Sequence, residues 1–243
     1  MKRNIAILFS FILYLSTWFV SQKLCGYWGS ILFGTFYLII FSLLIPFILI
    51  KKYAITMRLK LNKKFRIAGI LFLIIITLFS IFPAGTLKEI SHHNPGFEVI
   101  IKYCILFLPM SFGISMFCFY LFPLMIDETS IHRVIKSGLI IVISSLTSGI
   151  SFYIDTLGNV DMFFIMAMMG LFFGIGFLLT KSFFILWVFF FINMMAHTLG
   201  EAKYYDYDWS ILAIEIIVFL FLFSSVIIKK YFDKKKVKSL PNY

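Results

Sequence analysis

Cysteine is scarce in this chain: Cys25, Cys104 and Cys118 are the only three among 243 residues. Cys104 and Cys118 fall about four turns apart on one apolar run, roughly 21 Å of helix, and so cannot bridge each other. Three scattered thiols supply neither a disulfide framework nor a metal-binding spacing, and they read as ordinary buried residues. A Walker phosphate loop and a His-Glu-x-x-His zinc signature are also missing. The chain therefore has no nucleotide-hydrolysing or metalloprotease motif of its own. No long repeat, linker or low-complexity tract divides it. Acidic residues number 11 against 22 Lys and Arg, for a net charge of +11.

Apolar sequence fills the rest. The chain is 61% hydrophobic with a mean hydropathy of +1.00, which leaves little room for a soluble domain. A membrane-spanning helix needs about 20 mostly apolar residues. Eight stretches meet that length or approach it: Asn4–Leu24, Ser30–Ile50, Arg66–Pro83, Phe97–Ile126, Val134–Ile154, Met162–Leu179, Ser182–His197 and Ile211–Ile228. The expected fold is all-α, a polytopic membrane protein with one eight-helix domain over 1–228 and a basic tail over 229–243.

The basic residues give this array an orientation. Lys2 and Arg3, the run from Lys51 to Arg66, Arg133 and Lys136, Lys181 and the tail from Lys229 to Lys238 all fall in alternate connections. Together they hold 18 of the 22 Lys and Arg. Lys23, Lys88 and Lys203 fall on the other side, and Lys102 lies within a span. Short-loop Lys and Arg collect in the cytoplasm, so both termini are expected there, and only an even number of crossings sorts the charges this way. The same clustering argues against nucleic acid as a partner and for anionic lipids of the cytoplasmic leaflet. In the Lys51–Arg66 stretch, Ile55, Met57, Leu59 and Leu61 alternate with polar residues, a period of two that suits an extended interfacial segment. The first span is too long for a signal peptide and lacks a small-x-small cleavage site, so it reads as a retained anchor. Lys23, in Gln22-Lys23-Leu24-Cys25, spoils a lipoprotein cleavage box.

Small and kink-forming residues organise the interior. The fourth span is about 45 Å long as a helix, against a hydrocarbon core of about 30 Å, so it must tilt, protrude or break, with Pro109 and Gly113 the expected place. Ser144, Ser145, Ser148, Gly149 and Ser151 in the fifth span, with Gly170, Gly174 and Gly176 in the sixth, let two backbones approach closely. These two spans are expected to form a tight central pair.

Few residues offer chemistry. Lys102 and Glu215 lie about one turn inside the outer ends of their spans, and equal depth makes them candidates for an intramembrane ion pair. His92, His93, His197 and Glu201 form an outer cluster; they are the residues that would hold a metal, although none is expected. Tyr204, Tyr205, Tyr207 and Trp209 read as an interfacial aromatic belt. On the cytoplasmic side, Asp127, Glu128, His132 and Arg133 make the one compact polar cluster. An acidic pair there would suit the activation of water, with Glu as general base.

The order of spans, the cytoplasmic ends and the run Gly170-Leu-Phe-Phe-Gly174-Ile-Gly-Phe-Leu-Leu-Thr180-Lys-Ser182 resemble the CAAX prenyl protease and bacteriocin-processing (Abi-type) family over about Ser111–His197. The resemblance implies an intramembrane endopeptidase fold in which Glu-Glu-x3-Arg, Phe-x3-His and His-x3-Asn motifs activate water. This chain departs at each. Met116, Phe117, Cys118 and Phe119 carry no carboxylate, and Ser148-Gly149-Ile-Ser-Phe152 contains no His. Around Phe189 and Phe190 only Asn193 survives. Asp127, Glu128, His132 and Asn193 are the remaining catalytic candidates, no cofactor is implied, and the resemblance is to a member without the usual catalytic residues. The expected role is binding or regulation at the cell membrane, in peptide (bacteriocin) maturation or immunity. The alternatives are the permease subunit of a peptide or lantibiotic exporter, partnered by a separate transporter ATPase, and an active intramembrane endopeptidase using an unusual set drawn from Asp127, Glu128 and His132. Heavy use of Phe, Ile, Lys and Asn suggests an AT-rich bacterial genome.

Overall fold

The computed structural model describes residues 2–24, 32–53, 55, 63–81, 96–155, 158–200 and 217. The expected span Ile211–Ile228 lies outside these, Ile217 excepted, as do the basic tail, Cys25, the aromatic belt and nearly all of the alternating stretch after Tyr53.

Among the described residues the fold is all helical, with no strands. In chain order the elements are α1 (Lys2–Lys23), a π-helical stretch π1 (Leu32–Leu44) running into α2 (Ile45–Lys52), and α3 (Lys63–Ile81). There follow α4 (Phe97–Met116), a short π-helical turn π2 (Phe117–Leu121), α5 (Phe122–Asp127), α6 (Arg133–Asp155), α7 (Val160–Thr180) and α8 (Phe183–Gly200). Five of the helical runs are long and apolar enough to cross a membrane, the longest being the continuous α4–π2–α5 from Phe97 to Asp127.

That run is the axis of the bundle. Every residue from Pro109 to Leu124 is buried, packed by α1 and π1 on one side and by α6, α7 and α8 on the others. The outer helices turn large apolar side chains outward: Phe79 is 71% exposed, Val134 73% and Phe164 62%. Apolar surface on this scale, wrapped around a packed core, is what a bundle solvated by lipid presents.

Pro109 does not break the axis, which stays α-helical past it. The departure from α geometry comes lower, at Phe117–Leu121, where the Phe122 N–H bonds the Phe117 carbonyl five residues back. Proline chemistry accounts for the position. Pro123 has no N–H for the carbonyl of Phe119 four residues back, and its ring crowds that carbonyl, so the turn widens. Pro46 stands in the same relation to Ser42, and π1 likewise ends just before it.

The tightest contact is between α6 and α7. At Gly170 a side-chain methyl would collide with the Ser144 carbonyl and come 2.8 Å from Ser145 Cα. Gly174 faces Ile141 Cα and Ser144, Gly149 faces the Phe163 ring, and Gly176 faces Leu73 and Leu186 instead. Ser145 Oγ donates to the Ala167 carbonyl at 2.7 Å across the same seam. Small residues in both helices thus bring the backbones close enough for dispersion and a direct side-chain-to-backbone hydrogen bond to hold them.

Candidate functional site

Among the described residues, three polar regions interrupt the apolar packing. The first closes one end of the bundle. Asp127, the last residue of α5, accepts from Lys181 Nζ at 2.5 Å, and its backbone carbonyl accepts from Lys136 Nζ at 2.8 Å. Its neighbour Glu128 pairs with Arg3 at the start of α1. Three separate segments therefore meet at one acidic dipeptide: the start of α1, the first turns of α6, and the turn between α7 and α8. His132 and Arg133 stand exposed beside them.

Lys181 is the unusual member. It caps α7 in the left-handed conformation (φ 47°, ψ 28°), with its N–H on the Phe177 carbonyl at 2.8 Å. A residue with a Cβ adopts this conformation at a cost of about 1–2 kcal/mol. Its ammonium lies 4.6 Å from the Phe177 ring centroid, so both a carboxylate and an aromatic face receive the charge. Burial pushes the pKa of Lys181 down, while Asp127 opposes that shift.

The second region is a shut interior of hydroxyls around Cys118. The Cys118 thiol, fully buried on π2, lies 3.6 Å from Ser151 Oγ, which donates to the Thr147 carbonyl at 2.7 Å. Ser151 also lines a recess with Tyr14, Trp18, Tyr37, Met110 and Ile114, where there is room for about one water molecule. Tyr14 and Tyr37 share a 2.6 Å hydrogen bond between their hydroxyls. Ser115 Oγ on α4 is buried with no partner among the described residues, as are the hydroxyls of Ser42 beside Gly113 and of Ser144 and Ser148 at the α6–α7 seam against Gly170.

The third region joins α3 to α8. Asn193 Nδ2 donates to Thr77 Oγ1 and to the Phe189 carbonyl, both at 2.9 Å. One turn further along, Ser80 Oγ and His197 Nε2 lie 2.8 Å apart, the donor depending on the His tautomer. Asn193 and His197, considered in the sequence for unrelated roles, thus occupy one face of α8. Thr77 and Ser80 had drawn no attention, although a Thr and a Ser three apart in an apolar helix are the signal that finds them.

The catalytic candidates are not all brought together. Asp127, Glu128 and His132 share the charged end, but both carboxylates are committed to cations. Asn193 lies ten residues into α8 from that end, about 15 Å away along the helix. At two of the three places where the resemblance would put water-activating side chains, the interior is aromatic. Phe119 lies 4.7 Å from Phe173 and 5.0 Å from Phe190, and Phe173 lies 5.6 Å from Phe190, measured between ring centroids.

Lys102 is met by Glu98 at 3.0 Å, one turn earlier on α4, while Glu215 is outside the described residues. Of the metal candidates only His197 is described, since His92, His93 and Glu201 are not. Among the described residues no group of three or more His, Cys, Asp or Glu is placed to hold a metal ion. Comparison with family models, with curated proteins and with solved structures finds no match to this chain.

Proposed function

We propose that this protein is a multi-pass membrane protein with eight crossings and both termini in the cytoplasm. It acts by binding or regulating a membrane-borne peptide, without hydrolysing it. The interlocked rings of Phe119, Phe173 and Phe190 carry the second half of this reading. Hydrolysis needs a base within hydrogen-bonding reach of a water beside the scissile bond, and three packed phenyl rings admit neither. The charged end supports the orientation. Arg3, Arg133, Lys136 and Lys181 gather there around Asp127 and Glu128, as they would at the cytoplasmic face.

The likeness to the CAAX prenyl protease and bacteriocin-processing family belongs to the same proposal, as a non-catalytic relative with a role in peptide maturation or immunity. Thr180-Lys181-Ser182 stands where that family has Thr-Gly-Ser, and the left-handed conformation of Lys181 is the one a glycine adopts most readily. The test is incubation of membranes containing the full chain with tagged membrane peptides, with both cleavage and co-purification scored. The reading expects a peptide to be retained intact. Cleavage that is lost on Glu128→Gln would overturn it.

A further inference from the structure

We propose that the charged end is a latch, in which Asp127–Lys181 and Glu128–Arg3 hold shut a hinged axis helix, and whose release opens the hydroxyl-lined interior around Cys118 to water. This goes beyond the function proposed above and does not depend on which way the bundle faces.

The axis helix carries both the hinge and the clasp. Cys118 sits on π2, and the latch begins nine residues later at Asp127. Between them Pro123 removes a backbone donor, so the helix is least strongly bonded just above its clasped end. Lys136 holds the Asp127 carbonyl, which fastens the acidic dipeptide to α6. The two cations that grip its side chains come from elsewhere: Arg3 from α1, and Lys181 from the turn between α7 and α8. Losing the Arg3 pair frees α1, and losing the Lys181 pair frees that turn, to part from α5 and α6, and Cys118 lies among these elements.

Neither pair is sealed. Side-chain exposure is 44% for Glu128, 28% for Arg3 and 26% for Asp127, and only Lys181 falls lower, at 12%. Salt or a competing ion therefore reaches both pairs, the Glu128 pair first. The interior they close is polar enough to take up water once opened. Ser115 Oγ is fully buried without a partner among the described residues, and Ser151 faces the recess beside the Tyr14–Tyr37 pair.

The Cys118 thiol reports the state directly, because maleimide reacts with a thiolate, which requires water. The full chain carrying Cys25→Ser and Cys104→Ser is labelled in membranes with N-ethylmaleimide. Cys118 should label slowly at low salt and faster as KCl is raised. Glu128→Arg should raise the rate at least about tenfold, since labelling tracks the population of the open state. Adding Arg3→Glu should return it to the parental value. A rate unaffected by salt would overturn the latch, as would a double variant as fast as Glu128→Arg alone. So would equally fast labelling of a Ser144→Cys probe at the α6–α7 seam in the same backgrounds, because that signals loosening of the whole bundle.

Discussion

Lys181 Nζ lies 2.5 Å from Asp127 Oδ1 and 4.6 Å from the centre of the Phe177 ring, at the one described non-glycine residue with a left-handed backbone. The charge is largely withdrawn from solvent, so its loss and the loss of its partner have unequal consequences. Asp127→Asn leaves the ammonium part-buried against an amide and should cost about 1–3 kcal/mol of stability. Glu128→Gln breaks a more exposed pair and should cost under about 1 kcal/mol. Thermal unfolding in detergent, followed by tryptophan fluorescence, gives the order. Equal losses would contradict it.

The same pair sets a dependence on pH. Burial lowers the pKa of Lys181 below its ordinary 10.5, and Asp127 partly restores it. Because the folded value lies below the unfolded one, the folded state binds fewer protons there between the two values, and stability rises as pH climbs through that window. Asp127→Asn removes the restoring partner and widens the window downward. Its melting temperature, relative to the parent, should therefore rise as pH climbs toward the ordinary 10.5 of lysine. A flat difference would show that Asp127 does not govern the lysine.

Two glycines in α-helices should respond oppositely to a methyl group. Gly170→Ala places it against the Ser144 carbonyl and Ser145 Cα, backbone that cannot swing aside, and should cost about 1–3 kcal/mol. Gly138→Ala meets nothing within 4 Å and should be neutral or stabilising by up to about 1 kcal/mol, through the lower entropy of the unfolded chain. Melting curves of the two variants, measured side by side, check the contrast.

The α3–α8 seam has a coupling that a double-mutant cycle can read. Thr77→Val removes the acceptor of Asn193 Nδ2, and Asn193→Leu removes the donor. Such pairs in membranes are worth about 0.6 kcal/mol on average and at most about 1.7. The double variant should therefore lose less than the two single losses added together, by about that amount.

Much of this architecture was legible because long apolar runs impose it. Every backbone group must be satisfied within its own segment, so apolar length alone located the helices from Asn4 to His197 to within a few residues of their observed bounds. Small residues at four-residue spacing in the fifth and sixth spans lie where α6 and α7 meet. Pro109 misled, because a proline in a buried helix can be absorbed by neighbouring packing, and the distortion arose instead ahead of Pro123. The polar partnerships were harder to see. Lys181 reads in sequence as one more topogenic lysine, and nothing local says that it reaches Asp127, 54 positions earlier. Arg3 to Glu128, Tyr14 to Tyr37 and Thr77 to Asn193 are likewise contacts between distant segments, fixed by how the helices pack rather than by spacing within any one of them.

The central claim is that the end bearing Arg3, Glu128 and Lys181 faces the cytoplasm while the α6–α7 turn faces outward. In intact cells expressing a chain with its native cysteines replaced by serine, a membrane-impermeant maleimide should label Asn159→Cys, in the α6–α7 turn. It should reach Thr129→Cys, beside the acidic dipeptide, only after the cells are opened. Labelling of Thr129→Cys from outside with Asn159→Cys protected would invert the orientation, and labelling of both from outside would remove the membrane crossings between them.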